Sequence, residues 1–212
     1  MNKFVTSVLF AVGMTVSAVS SAAVINGTIG NIDGDGDGHV DDVKISRVLF
    51  NVTAGTSVFF DSLVWEDIVD LNGDGKITGF DNYMVLFNGT TMLSGNDDSD
   101  ATYGDGSVHL FDSVINYTFA NAGTYMITLG QLSYSPSEAL QGYDPNRLFW
   151  PFGPSTENFG AWRLTMTATN GTLSNVREVG VNEVPEPTSI ALLGLGLLGA
   201  ASARRKSKVA QA

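Results

Sequence analysis

The sequence predicts an all-β protein, a single β-sandwich or jelly-roll domain, and three features favour this fold class. Several short segments alternate apolar and polar residues with the period of two that a half-buried strand requires. Other short segments are rich in β-branched and aromatic residues, which fit a pleated sheet. Turn signals containing Gly and Asn separate these segments at modest spacing. Many short strands joined by tight turns are typical of two packed sheets.

The clearest predicted strand ends in a turn pair. Its apolar residues alternate with polar ones, and Asn170-Gly171 then predicts a hairpin-type turn. Two earlier strands are each indicated by three apolar residues on one face. Two segments at 43–52 and 82–87 are short, apolar and closed by turns, so strands are favoured there over helices. The face-forming residues are Trp162, Leu164, Met166 and Ala168 in the first strand, and Ile115, Tyr117, Phe119, Tyr125, Ile127 and Leu129 in the other two.

An acidic loop at 70–81 has the spacing of a calcium site. Oxygen side chains stand at positions 1, 3, 5 and 12 of a 12-residue loop, and Gly75 stands at position 6, where the chain must turn sharply. Ca²⁺ takes six to eight oxygen ligands, and this spacing places several around one point. The segment resembles a dockerin repeat, in which position 12 is also Asp. The candidate ligands are Asp70, Asn72, Asp74, the carbonyl of Lys76 and Asp81.

A second acidic loop at 33–44 repeats this pattern less completely. Position 12 is Lys44, which cannot ligate a cation, so Asp41 or Asp42 would have to complete the shell. Alternatively, the register begins at Asn31 and ends at Asp42, which removes the apolar anchor at position 8. Five aspartates between residues 33 and 42 repel one another unless a cation lies among them. The candidate ligands are Asp33, Asp35, Asp37, the carbonyl of His39 and Asp41.

A third acidic cluster at 96–100 allows two interpretations. With Asp105 or Asp112 it would form a further metal point, whereas as a hairpin loop its side chains would cap local backbone groups. Neither interpretation involves catalysis. The chain has no cysteine, no HExxH motif, no phosphate-binding Gly loop and no supported Ser-His-Asp arrangement, so we expect no enzymatic activity.

The aromatic segment at 148–152 also has two interpretations. Leu148, Phe149, Trp150 and Phe152 lie in an irregular, Pro-containing stretch. Aromatic residues in such a loop commonly close one end of a sandwich, and this interpretation is favoured. Exposed aromatic rings also stack on sugar rings, which would make the domain a carbohydrate-binding module.

Both ends of the chain have the features of export signals. Residues 1–23 contain a basic start, an apolar stretch and a small-residue cleavage site, as in a secretory signal peptide. At the other end, Pro185, Glu186 and Pro187 precede an apolar run at 188–203 and a basic stop at 204–206. As a helix, the 16-residue run would span about 24 Å, marginal against a hydrocarbon core of about 30 Å. We expect the basic residues on the cytoplasmic side.

The segment 184–208 resembles the PEP-CTERM sorting tail of Gram-negative, exopolysaccharide-producing bacteria. The resemblance implies recognition by an exosortase-type membrane enzyme, with cleavage near the Pro-Glu-Pro motif. An ordinary C-terminal membrane anchor is the alternative. Between the two signals, the domain at 24–183 would lie in the cell envelope or extracellular matrix, held in the membrane transiently or stably by the C-terminal helix.

Charge excludes one class of partner. Between the signals, residues 24–187 carry six Lys and Arg against all 22 Asp and Glu, a formal net charge of −16 compared with −11 for the whole chain. Such a surface repels nucleic acid and attracts divalent cations, so we expect Ca²⁺ and no nucleic-acid partner.

A second resemblance covers the predicted domain itself. The order of features from residue 41 to residue 169, including the closing Phe159-Gly160-Ala161-Trp162, is similar to secreted domains that precede PEP-CTERM tails, and these are similar to pre-peptidase C-terminal β-sandwiches. The resemblance implies a non-enzymatic accessory or surface module, stabilised by calcium if the acidic loops bind it. The alternatives are a carbohydrate-binding module for exopolysaccharide and a dockerin-like adhesion module.

Overall fold

Eleven strands and one short helix make up the part of the chain that the structure describes. The structure is a computed structural model and describes residues 21–66, 70, 73–99, 110–152 and 155–180. The elements are β1 (Ser21–Ile32), β2 (Asp42–Lys44), β3 (Ser46–Val52), β4 (Ser57–Leu63), β5 (Asn82–Asn88), β6 (Thr91–Asn96), β7 (Val114–Thr118), β8 (Gly123–Gln131), α1 (Pro136–Gln141), β9 (Tyr143–Asp144), β10 (Phe159–Thr169) and β11 (Leu173–Val179).

The strands form two antiparallel sheets packed face to face. The first sheet has the order β7-β4-β10-β1-β2-β9 and the second β11-β3-β8-β5-β6. The long pairing of β1 with β10 runs from Ser21↔Ala168 to Gly30↔Phe159. This architecture confirms the predicted all-β sandwich, and both acidic loops join strands, as the β-branched segments after them indicated.

Alternation builds the core between the sheets. Inward residues of both sheets form one cluster, centred on aromatic rings such as Phe50, Phe60 and Phe119. The fully buried Trp162 ties the sheets together, because its Nε1 donates to Ser46 Oγ across the interface at 3.0 Å. The strand predicted around Trp162 therefore has the inward face that its sequence pattern indicated.

The second sheet is also covered on part of its outer face. Ile45, Leu49, Val85 and Met126 of that face pack with Tyr134 and with Ala139 of α1. The helix begins at a capping box, in which Ser135 accepts from the Glu138 backbone N–H and the Glu138 carboxylate accepts from Ser135 N. The same face also carries polar side chains, among them Asn51 and Thr124, which share a hydrogen bond.

One predicted turn connects different strands from those expected. Asn170-Gly171 does form a turn, with Asn170 at φ 59°, but β10 lies in the first sheet and β11 in the second. The hairpin expected there is therefore wrong. The turn instead packs against the turn at 53–56, where the Thr172 N–H donates to Thr53 Oγ1. Both turns carry the chain from one sheet to the other.

The predicted end segments lie mostly outside the described residues. Of the signal peptide at 1–23, the structure describes Ser21, Ala22 and Ala23, which open β1 and pair with β10. The sorting motif Pro185-Glu186-Pro187, the apolar run at 188–203 and the basic stop at 204–206 all lie outside the described residues. Within the described ranges, no helix has the length and apolar character needed to cross a membrane.

Candidate metal loops and aromatic surface

The loop between β1 and β2 folds around its own first aspartate. Asp33 Oδ1 accepts from the Gly36 N–H at 2.8 Å, and Asp33 Oδ2 accepts from the Gly38 N–H at 3.1 Å. Asp37 Oδ1 accepts from the His39 N–H at 2.8 Å. Gly36 and Gly38 have φ of 80° and 94°, a left-handed backbone that glycine adopts without a steric penalty. The chain therefore turns tightly, with its carboxylates on the surface.

The loop after β4 repeats these hydrogen bonds position by position. Asp70 Oδ1 accepts from the Gly73 N–H and Asp70 Oδ2 from the Gly75 N–H, both at 2.6 Å. Asp74 Oδ1 accepts from the Lys76 N–H at 2.9 Å. Gly73 and Gly75 have φ of 76° and 85°. The acidic spacing identified in the sequence therefore produces the same local hydrogen bonds twice, once between β1 and β2 and once between β4 and β5.

The two loops differ in how closely their carboxylates approach. Ligand oxygens of Asp33, Asp35 and Asp37 all lie within 4.8 Å of one another, and all three side chains are exposed. Among the described residues, no other set of three acidic or histidine side chains meets this distance. Asp70, Asp74 and Asp81 are therefore not brought together in the same way. Asn72 lies outside the described residues.

Asp42 anchors the first loop from beneath. Its side chain is 1% exposed, and Oδ2 accepts from the backbone N–H groups of Gly34 at 2.8 Å and Asp35 at 3.2 Å. Oδ1 accepts from the Asn146 N–H at 3.0 Å. The neighbouring Asp41 is half-buried, and His39 is exposed. Asp42 thus holds the loop to the domain, which leaves Asp41 as the closer match to the predicted fifth ligand.

In the alternative register, the first loop would begin at a residue that already belongs to strand β1. Asn31 lies in β1, and its Oδ1 accepts from the Phe149 N–H at 2.6 Å. A loop beginning at Asn31 would have to break this hydrogen bond, so the geometry favours the register that begins at Asp33.

Thr78 and Glu66 close the base of the second loop. The Glu66 carboxylate is 1% exposed and accepts from the Thr78 N–H at 3.0 Å. The Thr78 hydroxyl accepts from the Ala161 N–H at 3.0 Å. Thr78 stands at position 9 of the 12-residue loop, where calcium loops often hold the ion through a water. It is instead fully buried and engaged in joining the loop to β10.

Asp81 lies with the third acidic cluster rather than with the second loop. Burial, followed by the charges of Asp98 and Asp97, raises the pKa of Asp81 from 3.8 to about 6. Its Oδ1 atom is buried and accepts no hydrogen bond in the described structure. An uncompensated carboxylate favours its protonated form, or a cation beside it. Sequence reasoning missed this grouping, because Asp81 and Asp97 are far apart along the chain.

Asp112 was a candidate to complete the third cluster. Its carboxylate is 2% exposed, and Oδ1 accepts from the backbone N–H groups of Val64 at 2.6 Å and Trp65 at 3.3 Å. It therefore fixes the end of β4 in place. Residues 100–109, including Asp105, lie outside the described residues.

The aromatic segment at 148–152 divides between core and surface. Phe149 is buried against Phe80, with ring centroids 6.1 Å apart, so part of the segment closes the sandwich as predicted. Trp150 is 70% exposed. The buried Gln131 holds the Trp150 backbone at both ends, accepting from its N–H at 3.1 Å and donating to its carbonyl at 2.8 Å. The exposed ring therefore stands on a fixed backbone.

Comparison with known proteins explains the end of the chain. Residues 183–206 match the PEP-CTERM protein-sorting motif. The chain carries this motif. It implies export, sorting by an exosortase system and a place at the cell surface. No curated protein matches the sequence.

The PEP-CTERM motif follows directly on the folded domain. Arg47 of β3 is 1% exposed; its Nη1 donates to the Leu140 carbonyl at 2.6 Å and its Nη2 to the Gly180 carbonyl. The match begins three positions after Gly180.

Proposed function

We propose that this protein is a non-enzymatic component of the cell envelope or extracellular matrix of a Gram-negative bacterium, stabilised by Ca²⁺. The observation that carries the proposal is the arrangement of the chain: a PEP-CTERM motif follows a β-sandwich that bears two acidic loops of the same backbone design. Before processing, the apolar run at 188–203 would hold the domain at the membrane. An exosortase-type enzyme would cut near Pro185-Glu186-Pro187.

Chemistry supports calcium as the ion. Exposed carboxylates and backbone carbonyls are hard oxygen ligands, which Ca²⁺ prefers, and the domain offers no thiol and few imidazoles. In the first loop, Asp33, Asp35 and Asp37 would supply the charge and the His39 carbonyl a neutral ligand. In the second, Asp70, Asn72, Asp74 and the Lys76 carbonyl would do so, and Asp81 would have to move toward them from its present neighbours. The site chemistry is structural, since the ion would offset carboxylate repulsion.

Calorimetry tests the calcium part. Extracellular calcium modules bind at about 10⁻⁴ to 10⁻³ M, so a tenfold excess of Ca²⁺ over Kd stabilises the fold by about 1.4 kcal/mol. For a domain of this size that raises Tm by roughly 3 to 6 °C. Asp35→Asn should reduce this increment, because Asn keeps the acceptor used by the Asp37 N–H but loses the charge. Glu138→Gln is the matched control, since it removes one charge from the capping box of α1, which belongs to neither loop. A Tm that is the same in Ca²⁺ and in EDTA would contradict the proposed stabilisation by calcium.

Intact mass tests the sorting part. Mass spectrometry of the surface-exposed protein should give a species ending near Pro187. A species that extends through Ala212 would instead indicate a protein held in the membrane by its tail.

Trp150 supports a second candidate function, binding of extracellular polysaccharide. A ring that is 70% exposed and whose backbone is fixed by Gln131 offers a flat apolar face for stacking on a sugar. Glycan-array binding that is lost in Trp150→Ala, and retained in Leu148→Ala, would support this function. Binding that survives substitution of both Trp150 and Phe152 would exclude the site. The dockerin-like alternative gains no support from the geometry, because strands follow both loops.

A further inference from the structure

A groove of about 380 Å³ lies on the outer face of the second sheet. It is lined by residues of β3, β8 and β11. Its volume is within the range of small-ligand sites, about 300 to 1,000 Å³. The residues that line it are Leu49, Asn51, Thr124, Asn175, Val176 and Arg177.

A β-bulge in β11 determines which side chains reach this groove. Ser174 pairs with Asn51 and Arg177 with Leu49, so β11 has one residue more than β3 over this stretch. The extra residue lies beside Asn175, whose φ is 52°, a left-handed conformation for a non-glycine residue. Because of the bulge, Leu173 and Val176 both pack toward the core although they are three residues apart. Arg177 is thereby directed to the outer face.

Arg177 differs from every other cation of the domain. The six Lys and Arg between the two terminal signals are all described. Five of them have partners: Lys44 with Glu178, Arg47 with two carbonyls, Lys76 with Glu157, Arg147 with Asp144 and Arg163 with Asn26. The Arg177 side chain is exposed, and it makes no hydrogen bond or ion pair with the described residues. In a domain of net charge −16, a guanidinium without an acidic partner among the described residues is unexpected.

The other groove residues offer hydrogen-bond donors and acceptors that suit the hydroxyl groups of a sugar. Asn51 and Thr124 lie opposite each other on β3 and β8, and Thr124 Oγ1 donates to Asn51 Oδ1 at 2.8 Å. This pair leaves the amide N–H₂ of Asn51 as a donor and the Thr124 oxygen as an acceptor. Asn175 adds a further amide, and Leu49 is apolar and 6% exposed. Amides beside an apolar floor suit a polyhydroxylated ring, and a guanidinium suits a carboxylate, which it can bind with two parallel hydrogen bonds.

We propose that this groove binds an acidic saccharide, a chain of uronic-acid type, with Arg177 on the sugar carboxylate and Asn51, Thr124 and Asn175 on its hydroxyl groups. The site is separate from both acidic loops and from Trp150, so its failure would leave the proposed function standing. The net charge of −16 between the terminal signals selects against an anion that makes no further contacts, because the domain repels long polyanions unless the groove itself holds them.

Isothermal titration of the full-length protein in detergent, with EDTA present to exclude calcium bridging, tests the site. The probe is trigalacturonic acid, and its methyl ester is the uncharged match. Arg177→Gln should weaken binding of the acid at least about tenfold, or about 1.4 kcal/mol, because it removes a charge-assisted contact with the sugar carboxylate. It should leave Tm unchanged, since the Arg177 side chain makes no hydrogen bond or ion pair with the residues that the structure describes. Arg163→Gln, which removes the same charge from the first sheet, should bind the acid as the native protein does.

Three results would overturn the proposal. One is the absence of binding of trigalacturonic acid to the native protein. Another is equal affinity of the native protein and Arg177→Gln, which would mean that Arg177 serves only to keep the edge strand β11 from pairing with another chain. The third is tighter binding of triglutamate than of the sugar, which would identify an acidic peptide as the occupant.

Discussion

Gly27 permits the packing of the largest buried side chain of the core. A Cβ on Gly27 would lie 2.6 Å from Trp162 Cε2 and 3.0 Å from Cη2, and closer still to Cζ2. Real Cβ atoms essentially never approach so closely, so Gly27→Ala must displace the indole. Trp162 is fully buried and donates to Ser46 Oγ, so it cannot move without disturbing both sheets. We therefore expect Gly27→Ala to destabilise the domain strongly.

The expected loss has two parts. Overpacking a dense core costs about 1–3 kcal/mol, and loss of the hydrogen bond between Trp162 and Ser46 adds about 1 kcal/mol. A total near 3 kcal/mol corresponds to a decrease in Tm of roughly 6 to 12 °C. Ser46→Ala alone should remove only the hydrogen-bond part. The double variant should be less destabilised than the sum of the two, because both substitutions affect one contact.

Urea unfolding followed by near-UV circular dichroism measures these effects. Gly123→Ala is the matched control, because a Cβ there would meet Tyr125 Cε2 at an ordinary 3.6 Å. We expect the control to unfold within about 1 kcal/mol of the native protein. Equal stability of Gly27→Ala and Gly123→Ala would refute the packing argument.

Three further predictions concern the acidic and aromatic residues. Because the pKa of Asp81 is raised to about 6, its ionisation lowers the stability of the fold as pH rises from about 4 through 6. In EDTA, Asp81→Asn should be as stable as the native protein near pH 4 and more stable by about 1 kcal/mol at pH 7; the full pKa shift corresponds to about 3 kcal/mol, which solvent screening of this partly exposed group reduces. A stability difference in urea that is the same at both pH values would contradict this. Asp42→Ala should destabilise the domain by about 2–4 kcal/mol, since three backbone N–H groups lose their acceptor, and amide exchange at Gly34 should accelerate; unchanged exchange would count against the anchor role. Phe149→Ala should lose about 3–5 kcal/mol whereas Trp150→Ala loses under about 1 kcal/mol, and similar thermal shifts in the two variants would argue against the division between core and surface.

Strands with a regular inward face were predictable from sequence, and the first strand was not. The residues around Trp162 alternate clearly because β10 is covered on one face. In β1, Gly27 lies beneath the indole of Trp162, Gly30 lies close to the backbone and Cβ of Phe159, and Val24 is 60% exposed. Where a large side chain of the neighbouring strand β10 fills the core, β1 needs only a glycine, so the sequence of β1 shows no apolar alternation. The first residues of β1 also fall where small residues indicated a signal-peptide cleavage site.

Turn chemistry was predictable locally, but not the partner of the strand that follows. Asn170-Gly171 adopts the left-handed backbone its residues favour, yet β11 pairs with β3 in the other sheet. That pairing is set by the inward packing of Leu173 and Val176 against the common core. Tertiary packing of this kind has no signature within a window of a few residues.

The candidate sites also divide into those set by local residue spacing and those set by tertiary packing. The backbone turns of both acidic loops follow from the spacing of Asp and Gly alone, so the sequence located them. The position of Asp81 depends on where β5 begins relative to the loop before β7, and the spacing of residues along the chain does not reveal this tertiary arrangement. The groove at Arg177 depends on a bulge register, and no local pattern indicates it.

Binding of calcium by the loops is the central claim, and a nuclear magnetic resonance titration tests it most directly. Ca²⁺ should shift the backbone amide signals of Gly36 and Gly38 in one loop and of Gly73 and Gly75 in the other, because these N–H groups donate to the carboxylates that would hold the ion. Half-saturation should fall at about 10⁻⁴ to 10⁻³ M. Combining Asp35→Asn with Asp74→Asn should remove the response in both loops. Amide signals that stay fixed to about 10 mM Ca²⁺, well above this range, would contradict the account.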